Sequence, residues 1–307
     1  MAARKTTPAK KSLYSKRLTD YLRDHYAKKD ADGPFLEKTN TRIGDKELKI
    51  AGGLYHIADD EYYDFLKLYY EEIIEKGADE YLTEKQLDQG GPILVDIDFR
   101  YEDTVRKYTK DHIVDLICLY LEELKTMFQF EDGVEFPVFI LEKPNVIQIE
   151  KKEGVVVTKD GIHMIIGLQA DRIVQQILRK QIVEKIGEVW SDIQIINTWD
   201  NAIDEAVTKG HSNWQLVGSK KPNCEAYKLT HVFHVSVDPN DKELMMPEIS
   251  IDSYLKDRDR FLKLSARYRD HPVFFMHSGF IDTYNQLAGQ LGSGPQRTMS
   301  NTVRSSN

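Results

Sequence analysis

The sequence predicts an α+β chain of short strands, one pair of them a hairpin, and longer helices, and three observations carry that prediction. Short apolar runs occur at Ile93-Leu94-Val95-Asp96-Ile97-Asp98-Phe99, at Val138-Phe139-Ile140-Leu141 and near 227–237. Between them lie longer segments whose apolar residues recur at the helical period. Gly154-Val155-Val156-Val157-Thr158 and Ile162-His163-Met164-Ile165-Ile166 flank Lys159-Asp160-Gly161, which predicts a hairpin with Asp-Gly at its turn.

Periodicity predicts a helix near 60–76 from Tyr62, Phe65, Leu66, Tyr69 and Ile73, whose aromatics read as core. A second helix near 111–128 places Ile113, Ile117, Leu121, Leu124 and Phe128 on one face. A third near 170–190 uses Val174, Ile177, Leu178, Ile182, Ile186 and Trp190. Gly90-Gly91-Pro92 is a turn that leads into the first strand. Ser253 to Arg267 reads as a heavily charged helix.

The 307 residues suffice for one large domain or two ordinary ones, and 41% hydrophobic with 30% charged residues is the composition of a soluble globular protein. No apolar run approaches the roughly 20 residues needed to span a bilayer. The N-terminus has no apolar signal core, so no membrane partner is expected. Cys118 and Cys224 make neither a disulfide framework nor a four-cysteine zinc site, and an intracellular, reducing setting is expected. The net charge of −8 is not the footprint of a simple nucleic-acid-binding module. Positive charge is clustered at Arg4-Lys5, Lys10-Lys11, Lys16-Arg17 and Lys220-Lys221. Residues 1–12 read as a basic disordered tail, 13–288 as the folded domain, and 289–307 as a flexible linker or tail of a longer or complete chain.

The strand at 93–99 carries the candidate chemistry. Side chains alternate along a strand, so Leu94, Asp96 and Asp98 share one face and Ile93, Val95, Ile97 and Phe99 the other. The two carboxylates stand roughly 7 Å apart at the backbone, near enough to converge on one or two hard divalent cations. Asp30-Ala31-Asp32 and Asp257-Arg258-Asp259 repeat the spacing in polar surroundings and read as solvated. His163 shares a strand face with Gly161 and Ile165, and Asp204 supplies another carboxylate. Gly218-Ser219-Lys220 offers backbone N–H groups, a hydroxyl and an ammonium that suit a phosphate, although no P-loop spacing occurs. His231 and His234, three residues apart in a strand, point to opposite faces and make no metal pair.

In this order, Val95-Asp96-Ile97-Asp98, Asp160-Gly161-Ile162-His163-Met164, Ile203-Asp204 and Leu216-Val217-Gly218-Ser219-Lys220 resemble the archaeo-eukaryotic primase superfamily. The likeness is to the N-terminal primase domains of primase–helicases from large nucleocytoplasmic DNA viruses. It spans about 90–235. The resemblance implies an antiparallel, RRM-like catalytic sheet beside a second α/β unit, with the active site in the cleft between them. It implies a nucleotidyltransferase of DNA replication, a DNA-directed primase/polymerase using Mg²⁺ or Mn²⁺. Asp96, Asp98 and Asp204 would be its catalytic metal ligands, and His163, Ser219 and Lys220 its nucleotide contacts. Gly161 stands where relatives often have Ser, and Gln215 where many carry Arg, so Lys221 or Arg100 would supply the missing cation. Implied partners are a single-stranded DNA template, NTP or dNTP, and a helicase module in the same longer chain. Implied locations are the host cytoplasm or a viral replication factory. Two other readings fit the Asp-x-Asp strand: a Mn²⁺-dependent glycosyltransferase, and a non-catalytic replisome module that binds nucleic acid.

Overall fold

The computed structural model describes residues 14–27, 37–150, 156–240 and 242–290. The chain opens with helix α1 (Lys16–Asp24), strands β1 (Asn40–Arg42) and β2 (Gly53–Tyr55), helix α2 (Tyr62–Tyr69) and strand β3 (Leu82–Glu84). The predicted helix near 60–76 is α2 continued by a π-helical turn, Tyr70–Glu75. Next come β4 (Ile93–Tyr101), α3 (Lys110–Met127), β5 (Phe128–Gln129), β6 (Glu135–Glu142), β7 (Ile147–Glu150), β8 (Val156–Ile166) and α4 (Arg172–Val189). Two short helices follow, α5 (Trp199–Ala202) and α6 (Glu205–Thr208), then β9 (Trp214–Gln215) and β10 (Lys228–Val237). The remainder is β11 (Leu244–Met245), β12 (Glu248–Ile249), α7 (Asp252–Leu255), α8 (Arg258–Phe261), β13 (Phe275–Met276) and α9 (Ser278–Gln290).

Among the described residues every strand pairing is antiparallel. The large sheet has the order β11-β10-β6-β8-β4, with β12 added on β10 and β7 on β8. A small sheet, β2-β1-β3-β9, belongs mainly to the N-terminal part of the chain. The two faces of the large sheet bury different cores. Ile93, Val95, Ile97 and Phe99 join Ile162, Met164 and Ile166 against α3 and α4. Leu94, Phe139, Leu141 and Ile165 pack instead with α1, α2 and the small sheet. The apolar period of 3.6 in α3 and α4 and of 2 in β4 is therefore the imprint of one shared core.

The expected hairpin at Lys159-Asp160-Gly161 is overturned. Val156–Ile166 is one unbroken strand, paired with β4, β6 and β7. An Asp-Gly turn assumes that the aspartate is solvated. Asp160 is fully buried because Arg106 meets both its oxygens, Nε to Oδ2 at 2.7 Å and Nη2 to Oδ1 at 2.9 Å. Arg106 Nη1 also donates to Glu142, at 3.0 Å. The predicted single helix at 253–267 is broken too. Asp257 caps α8, accepting from the Asp259 and Arg260 N–H groups at 3.0 Å each, and so restarts the chain after α7. Residues 289 and 290, expected in the tail, close α9. The 1–12 call, the 291–307 part of the tail and Asp30-Ala31-Asp32 lie outside the described residues. No helix among the described residues is long and apolar enough to cross a membrane.

Candidate active site

Strand β4 lies at the edge of the large sheet, and its free side is covered by residues 196–204. The Ile196 N–H donates to the Arg100 carbonyl at 2.9 Å, and Asn197 Nδ2 to the Asp98 carbonyl at 2.9 Å. Ile203 bridges Ile97, and the Asp204 N–H donates to the Asp96 carbonyl at 2.9 Å. Arg179 fixes this cover from below, its Nε donating to the Ile203 carbonyl at 2.9 Å. Asp204 is thereby drawn in alongside Asp96. Its Oδ1 accepts from the Ala206 N–H at 2.8 Å and caps α6.

One face of β4 grades from apolar to wet. Leu94 is buried, the Asp96 side chain is 21% exposed, the Asp98 side chain 59%, and Arg100 is exposed. Register places His163 opposite Asp96 and Gly161 opposite Asp98. His163 Nε2 stands 3.4 Å from Asp96 Oδ1, a charge contact if the ring is protonated. That oxygen is buried and has no hydrogen-bond partner. A buried carboxylate oxygen without a hydrogen bond has a lone pair open to a donor, a water or a cation.

The pair is electrostatically split. Burial disfavours the Asp96 carboxylate, but the charge and polar contact of the His163 ring, then the charges of Lys221 and Lys143, outweigh it and hold its pKa below the usual range. Asp98 is pushed above that range, first by desolvation and then by the negative charge of Asp96, against the pull of Lys143. Two neighbouring carboxylates on one strand face thus differ in their affinity for a proton.

Three further side chains complete the setting. The His163 ring is stacked on Tyr227, with centroids 3.7 Å apart, and lies 4.5 Å from the ring of Trp214. Lys143 Nζ is 3.5 Å from Asp98 Oδ1. Burial, then Asp96 and Asp98, raise the Tyr227 pKa far above its usual value, so its hydroxyl stays protonated. A Cβ at Gly161 would stand 2.5 Å from that hydroxyl and 3.0 Å from the Ile97 carbonyl, so only glycine fits beneath Tyr227. Tyr227 and Lys143 were not singled out by the sequence. Their only signal is that each borders a predicted strand, and pairing across the sheet brings them to the carboxylates.

The Gly-Ser-Lys turn is placed differently from expectation. Gly218 has φ +89°, which explains the glycine. Ser219 is buried, and its hydroxyl is bonded to the Tyr69 hydroxyl at 2.8 Å and to the Leu82 N–H at 3.1 Å. Lys220 is paired with Asp79 at 2.7 Å. These two residues sew the turn to the N-terminal unit and offer no free phosphate contact as folded. Lys221, which follows them, is exposed and close enough to lower the Asp96 pKa. His231 pairs with Glu248 at 2.6 Å and His234 lies near Glu135 at 3.6 Å, so the two histidines have separate partners.

The donor set suits a hard cation. Asp96 and Asp98 share a face, and the orphaned Asp96 Oδ1 is in place to accept one. No group of three or more His, Cys, Asp or Glu side chains gathers at metal-holding distance among the described residues. Two carboxylates suffice for Mg²⁺ or Mn²⁺ when substrate phosphates and water complete the shell.

The family comparison bears on this arrangement. The family model for the C962R protein N-terminal AEP domain, AEP being archaeo-eukaryotic primase, matches residues 45–233, more than half of the chain. The chain belongs to this AEP family. The match takes in β4, β8, Asp204 and the Gly-Ser-Lys turn. It also reaches upstream of the segment that the motifs alone delimit, into the small sheet and α2. Primase and DNA replication are thus the functional field of this AEP domain. No curated protein sequence matches the chain significantly.

Proposed function

We propose that this AEP domain is a primase–polymerase catalytic unit that joins nucleoside triphosphates into primers on single-stranded DNA. The observation that carries the reading is the Asp96–Asp98 face, with its orphaned carboxylate oxygen and its surrounding cations. In this reading the large antiparallel sheet is the RRM-like catalytic sheet. The unit around the small sheet is the second α/β unit, and the nucleotide lies between the two.

A divalent cation bound here supplies activation of the primer 3′-hydroxyl and charge neutralisation at the leaving pyrophosphate. Asp96 and Asp98 hold that cation, and Asp204 completes the acidic edge. His163, clamped by Tyr227 and Trp214, presents its ring beside Asp96 and orients the incoming triphosphate. Lys221 and Arg100 supply the cationic contacts that Gln215 does not. Ser219 and Lys220 act by fixing the turn that presents Lys221. The acidic total charge fits weak template binding by this unit alone, with a helicase module of a longer chain adding affinity.

The test is primer synthesis on unprimed single-stranded DNA, with NTPs and dNTPs supplied separately in Mg²⁺ or Mn²⁺. Labelled product that disappears with chelator and in Asp98→Asn supports the reading. No product under any metal, together with tight template binding that survives Asp98→Asn, supports the non-catalytic alternative instead.

A further inference from the structure

We propose that Lys143 is a built-in counter-ion of the Asp96–Asp98 pair that must give way when a divalent cation binds, and so sets the affinity of the site for that cation. This rests on the metal-site reading above.

The geometry is specific to this lysine. Its ammonium lies 3.5 Å from Asp98 Oδ1, and its side chain is only 18% exposed. The ammonium also stands 5.4 Å from the centroid of the Tyr227 ring, whose face favours a cation. A Cβ at Gly161 would lie 3.3 Å from Nζ, so the glycine leaves the room in which both Tyr227 and Lys143 settle against the carboxylates. The backbone beneath is pinned. The Lys143 carbonyl accepts from Arg106 Nη2 at 2.5 Å, and its N–H donates to the Gly161 carbonyl at 3.4 Å. Arg106 is itself locked on Asp160 and Glu142. The anchor is therefore rigid while the four-carbon stem is flexible.

A divalent ion binds a carboxylate oxygen at about 2.1 Å. Bound to Asp98 Oδ1, it would lie within about 6 Å of the ammonium as now placed, given the 3.5 Å pair. Two cations so close, in a partly desolvated site, repel strongly. The ammonium has to leave Asp98 for the metal to enter. The pinned backbone keeps it within reach of the site, where the anionic triphosphate is the next partner it meets. Metal and nucleotide would then bind with positive coupling through Lys143.

The test is a Mn²⁺ titration of the nucleotide-free protein, read by the electron paramagnetic resonance signal of free Mn²⁺. Lys143→Met is expected to bind Mn²⁺ roughly tenfold more tightly than wild type, since a like charge is removed. Lys143→Gln, with its polar end, is expected to follow it, and Lys143→Arg, which keeps the charge, to stay with wild type. Asp98→Asn serves as the reference for the site itself. Unchanged or weaker Mn²⁺ affinity in both neutral variants, with binding lost in Asp98→Asn, overturns the role of Lys143 alone. Tightening in Lys143→Arg as well overturns it too, because charge is then not the cause. Wild-type affinity in Asp98→Asn overturns the metal site and this inference with it.

Discussion

Asp160 and Asp96 lie on neighbouring strands of one sheet, and each holds carboxylate oxygen away from water under opposite terms. Asp160 is fully buried and fully partnered, gripped by Arg106 through both oxygens and by the Gly161 N–H at 2.9 Å. Asp96 keeps one buried oxygen with no hydrogen bond, beside His163 and in the field of Lys221 and Lys143. Burial alone does not mark function, because the more deeply buried aspartate is the structural one. What differs is an unmet hydrogen bond on a carboxylate that nearby charges keep ionised. A carboxylate that nearby charges keep ionised, yet one of whose buried oxygens accepts no hydrogen bond, has a lone pair open to a ligand. His271 limits the rule. Its Nε2 is also buried and unpartnered, but burial, then the Lys263 charge, hold its pKa down at about 4, so the ring is neutral and tolerates its place.

If the comparison is right, the largest stability effect falls on the partnered site. Arg106→Met strands Asp160 and Glu142 without their counter-charge. Breaking a buried pair from one side typically costs about 3–5 kcal/mol. Urea denaturation should show that loss, and a change below about 1 kcal/mol would mean that Asp160 is not held as argued.

His271 gives a pH-dependent test of the neutral orphan. With a folded pKa near 4 against an unfolded 6.5, the unfolded chain takes up the proton first as pH falls. The stability His271 contributes is fully present above pH 6.5. It is lost progressively down to about pH 4, by roughly 3 kcal/mol in all. His271→Gln should remove that part of the acid loss. Parallel stability–pH curves for the two proteins from pH 7 to pH 4 would show that the ring is not held neutral.

The Gly-Ser-Lys turn sharpens the contrast further. Ser219→Ala leaves the Leu82 N–H without its partner, while the Tyr69 hydroxyl keeps the Val217 carbonyl, and should cost about 1–3 kcal/mol of stability. The Michaelis constant for nucleotide should hardly move. Lys221→Ala should do the reverse, raising that constant roughly 10- to 150-fold for a lost charge-assisted contact, with stability kept. Exchange of these two phenotypes in steady-state kinetics and melting would return the phosphate role to Ser219.

Much of this was legible in the sequence, and the failures share a cause. Periodicity located α2, α3, α4, β4, β6 and β10, because each buries a continuous apolar face and its pattern is local. The two faces of β4 followed from alternation alone. The false hairpin arose because Arg106, 54 residues from Asp160, neutralises it across the sheet, and no local signal reports that. The partners of Ser219 and Lys220 were hidden for the same reason, since Tyr69 and Asp79 reach them from 150 and 141 residues away. Lys143 and Tyr227 escaped notice because long-range pairing, not spacing, brings them to the carboxylates. Local chemistry named the candidate ligands, and only tertiary contact decided which polar groups were already satisfied.

The most direct test sets activity against stability in a single variant. Asp96→Asn keeps shape and removes the charge from the carboxylate whose buried oxygen the fold leaves without a hydrogen bond. The account predicts that it loses primer synthesis while its unfolding free energy stays within about 1 kcal/mol of wild type, measured without metal on the same preparation. Retained synthesis, or a loss of activity that comes with a stability loss of the size expected for Arg106→Met, would place Asp96 with Asp160 as a structural carboxylate and contradict the account.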